Sequence, residues 1–352
     1  MCKGAVMTKT ILVTGGTGYI GSHTVITLIE HNYNVVILDN LSNSSSIVLE
    51  RIKKITGRSV DFLLGDVRDS NLLKEIFNRY NIFAVIHFAG LKSVSESISN
   101  PLAYYQNNLS GTLSLLEQMQ RANVNNLIFS SSATVYGNPE RIPLDESCHV
   151  GGTTNPYGTS KYFSELILKD ASAANEELKV VILRYFNPAG AHPSGALGEC
   201  PDGTPNNLIP YLLKVANGSL EYLSVYGSDY PTKDGTGVRD YIHVMDLANG
   251  HLAALNSLIE KKEYARYRVY NLGTGHAYSV LDVIKSFEKQ NKINIKYKFS
   301  SRRHGDVAEC WSDPSLAEKE LSWHADLSLD DMMVDGWRWQ TLNPKGFDSN
   351  GE

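Results

Sequence analysis

Two rhythms of apolar positions alternate along the chain. Short β-rich apolar runs recur through the first half, at 10–13, 35–38, 62–64, 84–88, 127–130 and 180–183, and each reads as a strand. Between them apolar residues fall three and four apart: over 20–29, with Val25, Leu28 and Ile29 on one face, and over 72–80, 103–119 and 157–171. That is helical spacing. Strand and helix in alternation predict βαβ units around a parallel sheet, because parallel neighbours need a crossover connection and a helix supplies it. The expected fold class is α/β, with a doubly wound parallel sheet.

After Phe186 the rhythm breaks into Gly/Pro-rich sequence running from Asn187 to Pro205, which is loop chemistry rather than another βα repeat. A boundary near 187 is expected, with residues 1–187 forming one domain. Residues 188–352 then form a smaller C-terminal α/β lobe, from elements near 208–216, 246–258, 280–290 and 293–298. With no internal repeat, low-complexity tract or long linker, the two parts should pack closely around a cleft. Residues 1–6, ahead of Met7, are set aside as an extension or alternative start.

Composition narrows the functional class. Hydrophobic content of 42% and charged content of 20% fit an ordinary soluble globular protein. A net charge of -5 supplies no polycationic surface for a phosphate backbone, so nucleic acid is not an expected partner. Cys2, Cys148, Cys200 and Cys310 include no CxxC pair, so neither a disulfide framework nor a metal site is expected. The basic start MCKGAVMTK lacks the apolar stretch of a signal peptide, and no run of about 18 apolar residues occurs. A cytoplasmic location with no membrane partner follows as the expectation.

The first strand runs into GGTGYIGSH at 15–23 and then into a helix. Gly15, Gly18 and Gly21 have the spacing of a dinucleotide loop: one glycine permits the tight turn, one lets backbone approach a pyrophosphate, and one allows close helix–sheet packing. The helix N-terminus offers free N–H groups to the phosphates. Asp39 ends the next strand about twenty residues on, where a carboxylate can bond an adenosine ribose. It would repel a ribose 2′-phosphate, and Asn40-Leu41-Ser42-Asn43 follows with no compensating arginine, so NAD is expected rather than NADP. Asp66 and Val67, after the third strand, are placed either to meet the adenine or as a solvent loop. Phe88, Ala89, Gly90 and Lys92, after the fourth, either line the pyrophosphate and nicotinamide side or form a simple strand-end turn.

Tyr157 and Lys161 lie four residues apart at the start of a predicted helix, with Pro156 in its first turn, so their side chains share a face. A phenol is a poor base near neutrality, but a cation one turn away, a nearby NAD+ and the helix N-terminus would all favour the phenolate. Ser132, in SSSATVYG at 130–137, falls at the carboxyl edge of the sheet, where its hydroxyl can bond a reacting oxygen.

Tyr157, Lys161 and Ser132 together with the glycine loop resemble the extended short-chain dehydrogenase/reductase family, over nearly the whole chain. Within it the resemblance narrows to the UDP-glucose 4-epimerases, carried by GGTGYIGSH, LDNL at 38–41, HFAGLK at 87–92, SSSATVYG, LRYFNPAG at 183–190 and DGTGVRDYIHVMD at 234–246. The resemblance implies a Rossmann-type NAD-binding domain carrying the catalytic Tyr157 and Lys161, a UDP-sugar-binding lobe, and a homodimer built through helices near 103–119 and 157–171. It implies C4 epimerisation of UDP-hexoses through a 4-keto intermediate. Further cofactor contacts implied are Tyr19, Ile20, Ser44, Asn107 and Phe186. On the substrate side it implies Arg239 and Arg303 at the pyrophosphate, Asp306 at the uridine ribose, Tyr226 near uracil, and contacts from Asn187, Asn207, Leu208, Ser224 and Val225. Cys310 falls where stricter relatives carry a tyrosine, which implies that UDP-N-acetylhexosamines are also accepted; without the resemblance it reads as a small buried hydrophobe. Related dehydratases carry acidic residues just after the strand that here reads Ser132-Ala133-Thr134, and no carboxylate stands there. An NAD-responsive protein without turnover, and an epimerase for a nucleotide-linked uronic acid or pentose, are the alternatives.

Overall fold

The computed structural model describes residues 8–349 apart from 202, 204, 261–264 and 304, so the expectation about residues 1–6 lies outside the described residues. The first half reads β1 (Thr10–Thr14), α1 (Tyr19–Glu30), β2 (Asn34–Asp39), α2 (Ile47–Thr56), β3 (Asp61–Leu64), α3 (Ser70–Arg79), β4 (Ile82–His87), α4 (Val94–Ser99), α5 (Pro101–Arg121), β5 (Asn126–Ser132), α6 (Pro156–Ala174) and β6 (Lys179–Tyr185). The second half reads β7 (Asn187–Ala189), α7 (Leu208–Ala216), β8 (Leu223–Tyr226), β9 (Val238–Arg239), β10 (Tyr241–His243), α8 (Val244–Glu260), β11 (Tyr267–Leu272), β12 (Tyr278–Ser279), α9 (Val280–Asn291), β13 (Tyr297–Ser300), β14 (Glu309–Cys310), α10 (Ser315–Leu321) and α11 (Leu329–Leu342).

All six predicted strands are present, in a seven-stranded parallel sheet of order β11-β6-β5-β4-β1-β2-β3. This is the Rossmann-type, doubly wound α/β class. Alternation along β1 sends Ile11 and Val13 into the core on one face, with Val25 and Leu28 of α1, and Leu12 into the core on the other, with Leu115 of α5 and Leu168 of α6. Both faces are covered, as a parallel sheet requires. The winding reverses between β1 and β4, and a crevice opens there at the strands' carboxyl ends.

The seventh strand does not come from the first 187 residues. β11 pairs with β6 in register from Tyr267↔Val180 to Leu272↔Tyr185, and α8 packs against α1. Chain from beyond 187 thus completes the first sheet. The segment YRVYNL carries Arg268 and Asn271, and these polar positions hide it from a search for apolar runs. Helices α2 and α4 escape the periodicity for a similar reason, with only Val48 and Ile52, and Ser97, buried on them. The smaller lobe has its own core, where Leu212 of α7, Val225 of β8, Phe287 of α9 and Met332 of α11 meet.

Candidate functional site

The loop after β1 and the loop after β4 touch. Gly15 has φ +71°, and a Cβ there would lie 2.7 Å from the Ala89 backbone nitrogen; a Cβ on Gly21 would run into the Gly15 carbonyl oxygen. A side chain at either position would force neighbouring backbone apart, so both glycines are needed for these close approaches. Gly18 is the N-cap of α1 and brings no side-chain cap, so the helix end is left to the groove. At the tip of β2, Asp39 is buried and its carboxylate accepts from the Thr17 and Leu41 N–H groups at 3.1 and 2.9 Å and from the Ser44 hydroxyl at 3.2 Å. Ser44 also bonds Thr17, at 2.7 Å, so the 39–44 turn and the glycine loop form one wall. A glycine cradle, an uncapped helix end and a carboxylate at the neighbouring strand tip fit a dinucleotide.

Asp66 meets this wall through Asn40, whose amide donates at 3.1 Å, but its carboxylate is also gripped by Arg68, through Nε at 2.8 Å and Nη2 at 2.7 Å. Those bonds to Arg68 hold the Asp66 carboxyl down at about 2. Lys92 reaches across the cleft to Glu199 at 3.0 Å, and the Tyr19 hydroxyl donates to the Gly190 carbonyl at 2.7 Å. Asn107 lies beside the groove, its amide donating to Asn108. Asn108, which sequence reasoning passed over, is the buried member: its Oδ1 accepts from the Leu91 N–H at 2.8 Å and its amide donates to the Ser160 hydroxyl at 2.9 Å, tying the 88–92 loop to α6.

Helix α6 starts at a capped end, where the Asn155 side chain accepts from the Gly158 N–H and Pro156 occupies the first turn. Tyr157 and Lys161 therefore project from its first turns toward the end of β5. The Ser132 hydroxyl accepts from the Thr134 N–H at 3.2 Å and the Thr134 hydroxyl at 3.0 Å, and is near enough to the Tyr157 phenol to lower its pKa. Lys161 Nζ donates to the Ser130 carbonyl at 2.7 Å and lies beside Gly90. Phenol, serine, lysine and the 88–92 loop thus meet at one sheet edge.

The electrostatics depart from expectation. Burial pushes the Tyr157 phenol up from its ordinary range, and the opposing pull comes from the Ser132 hydrogen bond rather than from Lys161. Burial also lowers Lys161 to about 8, against the pull of Glu165. Burial leads at both groups, and the attraction between phenolate and ammonium that helical spacing alone predicts is not among the causes acting on either. Glu165 itself, one turn beyond Lys161, is buried and accepts from Ser131 of β5 and from both Nε and Nη2 of Arg184 on β6, at 3.0 and 2.6 Å. Its place four residues after Lys161 is the signal that could have found it.

On the side of the smaller lobe, Phe186 is buried in a small cluster with Val135, Tyr136 and Leu144, against which Cys310 packs. Arg239 and Cys310 are register partners of β9 and β14, and burial lifts the Cys310 thiol to about 11. Arg239 Nη1 donates to its neighbour's Val238 carbonyl at 2.8 Å. Arg303 bonds Asp306 at 3.0 Å, donates to the Asn206 carbonyl at 3.3 Å and lies over the Tyr226 ring at 4.8 Å. Asn207 caps α7 without a side-chain bond, Leu208 is that helix's first residue, and Asn187 is exposed at the start of β7. Along β8, Ser224 and Tyr226 alternate with Val225, whose side chain faces the lobe's core, so only its backbone is left for a ligand. Among the described residues no group of three or more His, Cys, Asp or Glu could hold a metal ion, and no helix is long and apolar enough to cross a membrane.

Known proteins match over the same span. The family model described as GDP-mannose 4,6 dehydratase matches residues 12–335. The UDP-glucose 4-epimerase of Haemophilus influenzae is 59% identical over 337 residues, covering 96% of this chain and 99% of that protein. The human UDP-glucose 4-epimerase is 54% identical over 347 residues, covering 97% and 99%. The crystal structure of UDP-glucose 4-epimerase from Bifidobacterium longum in complex with NAD+ and UDP superimposes with a TM-score of 0.92 at 54% identity, covering 96% of this chain and all 100% of that one.

Proposed function

This chain belongs to the UDP-glucose 4-epimerases within the GDP-mannose 4,6 dehydratase family, and we infer from that membership and from the Tyr157 constellation that it epimerises UDP-hexoses reversibly at C4 with NAD as cofactor. Gly15, Gly18 and Gly21 would hold the dinucleotide's pyrophosphate and Asp39 its adenosine ribose, with the 88–92 loop along the nicotinamide half. When bound, the nicotinamide supplies a hydride acceptor and donor.

The protein's own groups manage the proton. Tyr157 removes it from the sugar 4-hydroxyl while Ser132 hydrogen-bonds the same oxygen, and the Lys161 ammonium steadies the phenolate that starts the cycle. Loss of proton and hydride leaves a 4-keto sugar. That sugar turns about its links to UDP, takes the hydride back on its other face, and recovers the proton from Tyr157 with C4 inverted. Arg239 and Arg303 suit the anchoring task, since a guanidinium bonds phosphate oxygens in pairs without losing charge, and anchoring the UDP leaves the hexose free to turn. Thr134 supports epimerisation over elimination: it offers a hydroxyl to Ser132 where a dehydratase carries an acid.

The observation that carries this reading is Lys161 Nζ bonded to the end of β5 beside Gly90, with Tyr157 one turn earlier on the same helix and Ser132 at that strand's end. Conversion of UDP-galactose to UDP-glucose by purified protein, with and without Tyr157→Phe, tests it. Three finer readings accompany it. Cys310 in place of a bulky residue favours acceptance of UDP-GlcNAc and UDP-GalNAc. Exposed Leu102 and Leu113 on α5 and Phe163 and Leu166 on α6 favour a homodimer through these helices, which sedimentation would report. The functional division places NAD on 1–187 and the UDP-sugar on 188–352, in a cytoplasmic protein.

A further inference from the structure

Of the motif DGTGVRDYIHVMD the reading above uses only Arg239, yet the next residue is the more tightly built. Asp240 has no exposed surface, and its carboxylate accepts from five donors. Oδ1 takes the Thr274 N–H at 2.9 Å and its hydroxyl at 2.7 Å. Oδ2 takes the Gly275 N–H at 3.1 Å, the Ser312 N–H at 3.2 Å and the Ser312 hydroxyl at 2.5 Å. The backbone of the same residue continues the pattern: its N–H donates to the Cys310 carbonyl at 3.2 Å, and its carbonyl accepts from the Asn187 N–H at 3.0 Å. Gly273 closes the remaining side, where a Cβ would collide with both the Ser312 hydroxyl and Asp240 Oδ2.

One carboxylate thus knots together the turn after β11, the chain after β14 and the link from β9 to β10. Resting on the reading that Asn187, Arg239 and Cys310 face the nucleotide-sugar, we propose that Asp240 is the positioning residue of the substrate site, fixing those three segments relative to one another. Only a carboxylate does this. An amide of the same shape, turned either way, sets an N–H2 against at least one backbone N–H, and a longer acid has no room in a site without exposed surface. Asp240 touches no reacting atom in this scheme, so its loss loosens substrate binding and leaves the proton chemistry at Tyr157 in place.

The test compares Asp240→Asn, Ser312→Ala and Arg239→Ala with the parent enzyme, purified with cofactor. It measures affinity for UDP by calorimetry, KM and kcat for UDP-galactose, and retained NAD. Asp240→Asn is expected to raise both the UDP Kd and KM by about tenfold, with kcat within about threefold and NAD content unchanged. Ser312→Ala, which removes a single hydroxyl donor and keeps the fold, should raise KM by about threefold. Lower kcat or lower active fraction at unchanged KM and UDP affinity, in either variant, is what a purely structural residue would produce and overturns the proposal. Should Asp240→Asn not fold, an unchanged KM in Ser312→Ala overturns it alone. Arg239→Ala separates the two layers: weakened UDP binding there with none in the other variants defeats only the Asp240 proposal, whereas unchanged UDP binding in Arg239→Ala defeats the reading beneath it.

Discussion

At the scale of single residues, the chemistry hangs on groups that burial has pushed away from their ordinary behaviour. On the proposed mechanism Tyr157→Phe removes the proton acceptor and leaves the ring, so kcat for UDP-galactose should fall by about 10²–10⁴-fold with UDP affinity retained, read from steady-state rates and calorimetry. On the proposal that Cys310 makes room for an N-acetyl group, Cys310→Tyr, which adds bulk beside Phe186 and Tyr136, should abolish turnover of UDP-GlcNAc while UDP-galactose keeps its rate within about threefold. Parallel loss on both substrates would count against a gate at 310. Residue types at the site were legible because their spacing is chemistry: a glycine every third position, a lysine one turn after a tyrosine. Glu165, one turn after Lys161, was within reach of the same spacing; Asn108 and Asp240 were not, since distant segments join them to the site, and a linear sequence does not say that Thr274 and Ser312 will meet one aspartate.

At the scale of elements, the cradle depends on how closely α1 approaches β1. Gly21→Ala puts a methyl group into the Gly15 carbonyl; the expected result is protein purified without its dinucleotide, by mass spectrometry, and about 1–3 kcal/mol less stable. The ion pair between α6 and β6 is the other fixed point. Glu165→Gln leaves the Arg184 charge buried without its partner, so urea unfolding should show a loss of about 3–5 kcal/mol, and a loss within error would mean that neighbouring groups hold Arg184 unaided. Elements with a clean period, such as β5 and α5, were readable to within a few residues. β11 was not, because Arg268 and Asn271 find their partners, Glu320 and Tyr136, only in the folded chain.

At the scale of the whole molecule, three fully buried histidines couple the fold to pH. Burial lowers His23 and His87 to about 3 and His251 to about 4, so each is neutral in the folded protein where the unfolded chain would bind a proton. Their contribution to stability is complete above the unfolded value of about 6.5 and falls as pH drops below it, by up to about 1.4 kcal/mol per pH unit for each histidine. Thermal midpoints should therefore decline between pH 6.5 and 5, before most carboxylates titrate; a flat profile there would show that these imidazoles are charged in the fold. The return of β11 and α8 to the first sheet carries a last consequence. A fragment ending at 187 would leave β6 with a bare row of amides and α1 without its cover, so the two halves cannot be exchanged between relatives as cassettes. A fragment of residues 8–187 made alone is therefore expected to aggregate through that open edge under conditions where the full chain stays folded.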